Sequence, residues 1–189
     1  MVDRGLPDVP VAERTTVGYQ LIDPADLPAL AGRTIYAVVD ATAPTGVATT
    51  FAHFAGGVSG STLDLRSQGG GQAGDWAARP QFPGGGGAGG AYYTVFPQRT
   101  VGRRAILMTR LPDGLTSIRV TGYGQSAQRT GMDAGSGIPA PRCGIITSAY
   151  DTCLHLQVYR GAHTWQQACQ VHQWLAARWA ADPTPPPIW

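Results

Sequence analysis

The stretch that most constrains the fold covers residues 103–123, with the sequence RRAILMTRLPDGLTSIRVTGY. Apolar segments at residues 105–108 and 115–120 flank Leu111-Pro112-Asp113-Gly114, in which proline presets φ and glycine accepts a positive φ. The second segment alternates polar and apolar side chains, which is typical of a strand with one buried face. The first is apolar throughout, as in a strand covered on both faces. The stretch predicts a β-hairpin whose first strand lies within a sheet.

Further strands are predicted where β-branched, aromatic or alternating residues recur between turn residues. Glycine and proline number 26 and 15 of 189 residues, and this content favours many turns and short strands. Residues 47–54 are compatible with a strand or a short helix, of which we prefer the strand. The predicted strands are residues 34–40, 47–54, 62–67, 92–96, 143–149 and 152–159. We expect a mostly-β fold, either a β-sandwich or a barrel, with an α+β fold as the alternative.

One amphipathic helix is predicted near the C-terminus, over residues 164–181. Thr164 and Gln167 have the spacing of a capping box, and Pro183 ends the segment. Apolar and small residues recur at helical spacing between them. Trp174 lies off this stripe, so we expect it to be exposed in an isolated subunit.

The chain divides into a proline-rich N-terminal arm at residues 1–31, a single β-rich domain at 32–181, and a proline-rich tail at 182–189. A glycine-rich insertion at residues 69–90 interrupts the domain and is interpreted as a surface loop or as a lid that orders against a partner. We expect the tail either to fold back on its own domain or to dock on a neighbouring subunit. The candidate interface residues are the large apolar side chains of these segments: Trp76, Phe82, Trp174, Ile188 and Trp189.

Charge is distributed unevenly along the chain. All 14 basic residues are arginine, the formal net charge is +2, and lysine and asparagine are absent, which points to a GC-rich genome. Residues 1–65 carry a net charge of −4 and residues 66–160 a net charge of +6. Such asymmetry fits internal neutralisation, contact between subunits, or nucleic acid. Only Arg103 and Arg104 are adjacent basic residues, so nucleic-acid binding is not expected.

No motif in the sequence carries a recognisable catalytic set. Gly57-Val58-Ser59-Gly60-Ser61 lacks the final glycine of a nucleophile elbow, and the absence of lysine excludes a P-loop. We therefore predict no catalytic residues, no cofactor and no enzyme activity. The first residues lack the apolar core of a signal peptide, and no segment is long and apolar enough for a membrane helix.

Cysteine and histidine residues leave three alternatives open. The set Cys143, Cys153, His155, His163, Cys169 and His172 offers soft ligands for zinc, although the spacing fits no common zinc pattern and no metal ligand is assigned. Cys143 and Cys153 form a disulfide if the compartment is oxidising. Otherwise the thiols are small buried hydrophobic groups.

The leading functional hypothesis is a non-enzymatic structural subunit: a capsid, connector or tail protein of a bacteriophage with a high-GC host. Its partners are then further copies or other structural proteins, in the virion or in the host cytoplasm during assembly. The alternative is a secreted or cell-envelope β-rich binding domain with a Cys143–Cys153 disulfide. A lesser alternative is a metal-dependent enzyme that uses the cysteine and histidine residues.

Overall fold

Two antiparallel β-sheets and one C-terminal helix make up the computed structural model. It describes residues 8–9, 20–22, 32–40, 49–56, 62–67, 76–81, 94–96, 104–111, 117–130, 141–145 and 152–189. The strands are β1 (Asp8–Val9), β2 (Gln20–Ile22), β3 (Arg33–Asp40), β4 (Thr49–Gly56), β5 (Thr62–Ser67), β6 (Trp76–Gln81), β7 (Thr94–Phe96), β8 (Arg104–Leu111), β9 (Ser117–Gly122), β10 (Gln125–Thr130), β11 (Pro141–Ile145) and β12 (Thr152–Arg160), followed by the helix α1 (Trp165–Trp179).

The strands form two six-stranded sheets. Sheet A has the order β1-β12-β3-β8-β9-β10, and sheet B has the order β2-β11-β4-β5-β6-β7. Between them lies an apolar core to which sheet A contributes Ile35 and Val39 and sheet B contributes Phe54 and Leu63, all with no exposed surface. The prediction of a mostly-β, sandwich-like fold with one C-terminal helix is confirmed.

The predicted hairpin corresponds to β8 and β9, which pair antiparallel with Met108 opposite Thr121. The other neighbour of β8 is β3, so β8 is an interior strand of sheet A. Residues 105–109 are buried in succession, because one face of β8 meets the core and the other lies under α1. β8 is therefore apolar throughout because both of its faces are covered, as the sequence predicted.

Two strands occur in segments for which the sequence predicted none. β6 lies inside the glycine-rich insertion and pairs with β5 and β7, and β10 continues from β9 through a tight turn. Neither segment has a strong apolar pattern, so pairing with a preformed neighbour decides its structure. The predicted arm at residues 1–31 is described only at β1 and β2, and the insertion only at β6; the remainder of both lies outside the described residues.

Helix α1 begins at Trp165 with the predicted capping box. The Thr164 hydroxyl accepts a hydrogen bond from the Gln167 amide, and the Gln167 side chain accepts one from the Thr164 amide. The helix ends two residues earlier than predicted, because Ala180 takes a left-handed conformation with φ of 48°. Within the part of the chain that the structure describes, no helix has the length and hydropathy needed to cross a membrane.

The outer face of sheet A is covered by α1 and by the C-terminal tail. Side chains of β3 and β8 pack against the helix in a cluster that contains Tyr36, Val38, Ile106, Met108, Tyr159, Ala168, Leu175, Ala176 and Ala181. The Asp182 amide donates a hydrogen bond to the Arg104 carbonyl at 3.0 Å, and the Trp165 indole donates one to the Pro186 carbonyl at 3.0 Å. The Arg119 guanidinium lies 5.5 Å from the ring centre of Trp189. The tail thus packs on its own domain.

Candidate functional site

A histidine and an aspartate face each other at the centre of sheet B. His53 on β4 pairs in register with Asp64 on β5, and these two strands are the middle pair of the sheet. Their chain neighbours Phe54 and Leu63 are buried in the core, so alternation places His53 and Asp64 on the outer face. Nδ1 of His53 lies 2.5 Å from Oδ1 of Asp64. The side chains are 38% and 16% exposed, so solvent reaches the pair.

The hydrogen bond determines which atoms of the pair are available to a ligand. With Nδ1 of His53 as the donor and the Asp64 oxygen as the acceptor, the bond corresponds to the imidazole tautomer that carries its proton on Nδ1. In the neutral imidazole, Nε2 is then an acceptor that points away from Asp64. The second carboxylate oxygen of Asp64 is also an acceptor by type. Both side chains thus belong to the residue types that hydrogen-bond to hydroxyl groups.

Arg66 and Gly144 extend this face on either side of the pair. Arg66 follows Asp64 by two residues on β5, so it lies on the same face, and its side chain is partly exposed. Gly144 on β11 is the register partner of His53. Glycine contributes no side chain at the position next to the imidazole on that strand. The outer face of sheet B thus combines hydrogen-bond donors and acceptors around His53.

A second polar cluster lies between sheet A and α1, where it is closed to ligands. The Tyr36 hydroxyl is 2.9 Å from Nδ1 of His163, and the Tyr159 ring packs at a tilt of 55° against the same imidazole, with ring centres 4.6 Å apart. Burial raises the pKa of Tyr36 well above its ordinary value, helped by the neighbouring Tyr159 and Cys169. Tyr36, Tyr159 and His163 are 1%, 5% and 2% exposed, so this cluster stabilises the helix–sheet contact.

The disulfide between Cys143 and Cys153, one of the alternatives that the sequence left open, does not form in this structure. Cys153 is a buried free thiol whose Sγ donates to the His155 carbonyl at 3.3 Å. The two cysteines belong to different sheets, since Cys143 lies on β11 of sheet B and Cys153 on β12 of sheet A. Burial raises the pKa of Cys153 to about 12, as in an unreactive thiol that packs as a small apolar group.

The residues considered as zinc ligands are dispersed along β12 and α1. Among the residues that the structure describes, no group of three or more histidine, cysteine or acidic residues is arranged to hold a metal ion. His155 contacts Trp174 and Trp179, while His163 contacts Tyr36 and Tyr159. The hypothesis of a metal-dependent enzyme therefore has no set of metal ligands in the part of the chain that the structure describes.

The candidate interface residues have different environments. Trp174 is 39% exposed on α1, with the Arg178 guanidinium 5.8 Å from its ring centre, and Ile188 is 77% exposed. Trp189 packs against the cluster between α1 and sheet A, on its own domain. The backbone of Trp76 lies in β6, but its side chain and the whole of Phe82 are outside the described residues. Their role as an interface stays a prediction.

Sequence reasoning missed His53, Asp64 and Arg66. The available signal was the alternation in β4 and β5, where His53 lies between Ala52 and Phe54 and Asp64 between Leu63 and Leu65. This pattern places each polar residue on an outer face. It does not reveal that the two residues are opposite each other, because that depends on the register of the strands.

No family model and no curated protein matches the chain. Solved structures with a similar fold do match it. The CBM40 of the Ruminococcus gnavus IT-sialidase, bound to α2,6-sialyllactose, aligns with a TM-score of 0.55 at 12% identity, over 84% of this chain and 95% of that chain. The leech intramolecular trans-sialidase, complexed with 2,7-anhydro-Neu5Ac, aligns with a TM-score of 0.55 at 11% identity, over 83% of this chain and 26% of the other. The enzymatically active domain of bacteriophage CBA120 tailspike protein 2 aligns with a TM-score of 0.50 at 14% identity, over 94% of this chain and 27% of that chain.

At such identities the matches show a shared fold. The chain spans about a quarter of the leech and tailspike chains and nearly all of the CBM40. The leading hypothesis of a non-enzymatic structural subunit is wrong: the fold is shared with a sialidase CBM40 and with parts of a trans-sialidase and a tailspike. The tailspike links the fold to a phage protein through its enzymatically active domain. The fold therefore occurs both in enzymes and in a sialidase's CBM40.

Proposed function

We propose that the chain is a glycan-binding domain whose ligand lies on the outer face of sheet B. The observation that carries this proposal is the solvent-accessible His53–Asp64 pair at the centre of that face. A sugar presents hydroxyl groups that both donate and accept hydrogen bonds, and fixed planar side chains on rigid strands can match them. Double-sheet folds are a common scaffold for lectin domains.

The difference in coverage between the two outer faces supports this location. α1 and the tail occupy the outer face of sheet A, where they bury Tyr36, Val38 and Met108. His53 on sheet B is 38% exposed, although its strand is an interior one. A half-exposed hydrogen-bonded pair on interior strands is held more rigidly than a pair on a loop, which lowers the entropic cost of binding. The shared fold with a CBM40 solved with a bound sialoside agrees with this choice of ligand class.

Binding without catalysis is the form of the proposal that the site supports. Glycoside hydrolysis commonly needs two carboxyl groups, one on each side of the scissile bond. Asp64 is the one carboxylate on the outer face of sheet B within the described residues, and it is engaged by His53. Asp40 and Asp182 belong to sheet A and to the tail that covers it. The described face therefore has the groups to hold a sugar and lacks a carboxyl pair to cleave it.

An oligosaccharide array followed by calorimetric titration tests the proposal. We expect the wild-type chain to bind at least one oligosaccharide, and His53→Ala and Asp64→Asn each to weaken binding about tenfold, the loss expected for one good hydrogen bond. Thr130→Ala, at an exposed position on β10 of sheet A, is the control and should bind like wild type. Near-ultraviolet circular dichroism confirms that each variant is folded. Absence of binding to every oligosaccharide, or binding that folded His53 and Asp64 variants leave unchanged, contradicts the proposal.

A further inference from the structure

We propose that Arg110 and Arg119 form a binding site for a dianionic phosphate group on the outer face of sheet A, beside α1 and the tail. The inference goes beyond the proposed glycan-binding function, because the site lies on the other sheet and uses none of the same residues. It follows from a pair of like charges whose side chains and contacts the structure describes.

The two arginines are held opposite each other by strand register. Arg110 on β8 is the register partner of Arg119 on β9. Directly paired residues lie on the same face of an antiparallel sheet, with Cβ atoms about 5 Å apart. Ile118 and Val120, which flank Arg119 on β9, are buried in the core, so the arginines lie on the outer face. Both side chains are partly exposed, so solvent reaches the pair.

Arg119 is held in position by three neutral side chains. Its guanidinium donates hydrogen bonds to Oγ of Ser126 at 2.8 Å and to Oε1 of Gln128, both on the adjacent strand β10. Its Cζ lies 5.5 Å from the ring centre of Trp189 in the tail. These contacts orient the guanidinium without neutralising its charge. A group that is already oriented loses less conformational entropy when a ligand binds.

Arg110 is oriented by the connection between β12 and α1. Its Nε donates a hydrogen bond to the His163 carbonyl oxygen at 2.9 Å. The two terminal nitrogens carry four of the five N–H donors of a guanidinium. Within the residues that the structure describes, these terminal nitrogens make no hydrogen bond. Arg110 therefore combines a fixed position with donors that can bind a ligand.

The charge of the pair is not compensated by a carboxylate in the described part of the chain. Neither Arg110 nor Arg119 takes part in an ion pair there, whereas Nε of Arg104, also on β8, lies 3.6 Å from Oδ2 of Asp40. Burial lowers the pKa of Arg119, and repulsion by the Arg110 guanidinium lowers it further. Both groups stay charged at neutral pH. Like charges directly opposite each other destabilise a sheet, so a bound anion stabilises this one.

Two positive charges are matched best by a ligand group that carries two negative charges. A phosphate monoester has a charge of about −1.5 to −2 near neutral pH and three strong acceptor oxygens. The planar fork of a guanidinium forms two parallel hydrogen bonds with such a group. Free phosphate and the phosphate ester of a small molecule share this chemistry, and the experiment distinguishes them.

Calorimetric titration at constant ionic strength compares inorganic phosphate, methyl phosphate and dimethyl phosphate, of which the last is a monoanion. We expect the wild-type chain to bind at least one of the two dianions saturably, with a dissociation constant of about 1 mM or lower. Dimethyl phosphate should bind at least tenfold more weakly. Binding of inorganic phosphate alone identifies the free ion as the ligand, and equal or tighter binding of methyl phosphate identifies an ester; either result supports the inference.

Variants assign the binding to the two arginines. Arg110→Gln and Arg119→Gln should each weaken phosphate binding at least tenfold, because a charge-assisted hydrogen bond is lost. Arg119→Lys keeps the charge without the bidentate geometry and should give an intermediate loss. Arg160→Gln removes the same charge from an exposed position at the end of β12 in sheet A, so it should bind like wild type. Near-ultraviolet circular dichroism confirms folding, and Arg119→Gln decides the test if loss of the bond to the His163 carbonyl unfolds Arg110→Gln.

The outcomes separate this inference from the proposed function. Absence of saturable phosphate binding overturns the inference, as does binding that a folded Arg119→Gln variant leaves unchanged. Dimethyl phosphate that binds as tightly as methyl phosphate also overturns it, because the second charge then plays no part. His53→Ala should leave phosphate binding unchanged, although it weakens the glycan binding proposed for sheet B, and a loss of phosphate binding in this variant contradicts a site on sheet A. The two proposals can therefore fail independently.

Discussion

Thr34 illustrates how a single buried hydroxyl holds the connection between β12 and α1. Its side chain has no exposed surface; Oγ1 donates to the Gly161 carbonyl at 3.0 Å and accepts from the His163 amide at 2.9 Å. One small residue on β3 thereby fixes the backbone that leads into the helix.

Replacing this hydroxyl is the first residue-scale prediction. Thr34→Val keeps the shape of the side chain but leaves the buried His163 amide and the Gly161 carbonyl without their partner. We expect the free energy of unfolding to fall by about 2 to 3 kcal/mol in urea titrations. Thr34→Ser keeps the hydroxyl and loses only a methyl group, so its loss should be about 1 kcal/mol. Equal stability of the Val and Ser variants contradicts the assigned hydrogen bonds.

The thiol of Cys153 provides a second residue-scale prediction. Burial raises its pKa to about 12, so almost no thiolate exists near neutral pH. Iodoacetamide should therefore label Cys153 in the native chain only as fast as the protein unfolds, and immediately in denaturant. Mass spectrometry of alkylated peptides measures both rates. Rapid native labelling, or a denatured and unreduced chain without free Cys153, contradicts the buried thiol.

The pattern of these strands carries more information about the core than about the site. Alternation in β4 and β5 agrees with the burial of Phe54 and Leu63. His53 and Asp64 meet only through the register of the two strands, and a bulge between Thr50 and Ala52 shifts that register by one residue. Such an irregularity has no local sequence signal here, so the pair was not predictable.

At the scale of elements, α1 was predictable because its signals are local. Thr164 and Gln167 form the capping box within one helical turn, and the apolar stripe needs no partner to be recognised. β6 and β10 were missed because their stability comes from neighbouring strands. Helix propensity and capping act within a few residues, whereas strand formation depends on contacts made far along the chain.

The contact of α1 with sheet A should depend on pH through His172. This buried histidine has a pKa below the ordinary value of 6.5, mainly because burial disfavours the charged imidazolium, while Asp182 acts in the opposite direction. The unfolded chain therefore takes up the proton more readily. Stability is fully present above pH 6.5 and falls as the pH decreases below it toward the lower pKa of the folded state.

Urea titrations between about pH 8 and about pH 5 measure this dependence. We expect a loss of stability at the acidic end, and a smaller loss in His172→Gln, which cannot be protonated. The difference between the two profiles isolates His172 from the other histidines. A variant profile as steep as that of wild type contradicts this assignment.

The docking of the tail depends on a glycine in the β9–β10 turn. Gly124 has φ of +71°, and an added Cβ would lie 2.7 Å from Cγ2 of Thr184 in the tail. Gly161 also has a positive φ, of +98°, but an added Cβ there meets nothing within 4 Å. The two positions share backbone strain and differ in contact with the tail.

Alanine at each position separates these effects. Both variants should lose about 1 kcal/mol or more of stability from the unfavourable φ. Only Gly124→Ala should also displace the tail, because the Cβ clashes with Thr184. Limited proteolysis of residues 182–189 and the fluorescence of Trp189 measure the displacement. Equal protection of the tail in both variants contradicts the docking described for it.

At the scale of the whole molecule, the two outer faces of the sandwich differ in what covers them. Sheet A is covered by α1 and the tail, and contacts of Asp182, Trp165 and Trp189 hold the tail in place. Sheet B presents His53, Asp64 and Arg66 with partial exposure. The sequence predicted the class of fold but left sandwich and barrel undecided, because the order of strands in a sheet depends on long-range pairing. The proposed ligand face depends on that order.

The most direct test of the account is a two-dimensional amide NMR titration of the isotope-labelled chain with the tightest-binding oligosaccharide. We predict that the largest shift changes fall on β4, β5 and the adjoining strands of sheet B, centred on His53, Asp64 and Arg66, while the amides of α1 stay in place. Shift changes confined to α1 and the tail, or no change at saturating sugar, would contradict the account.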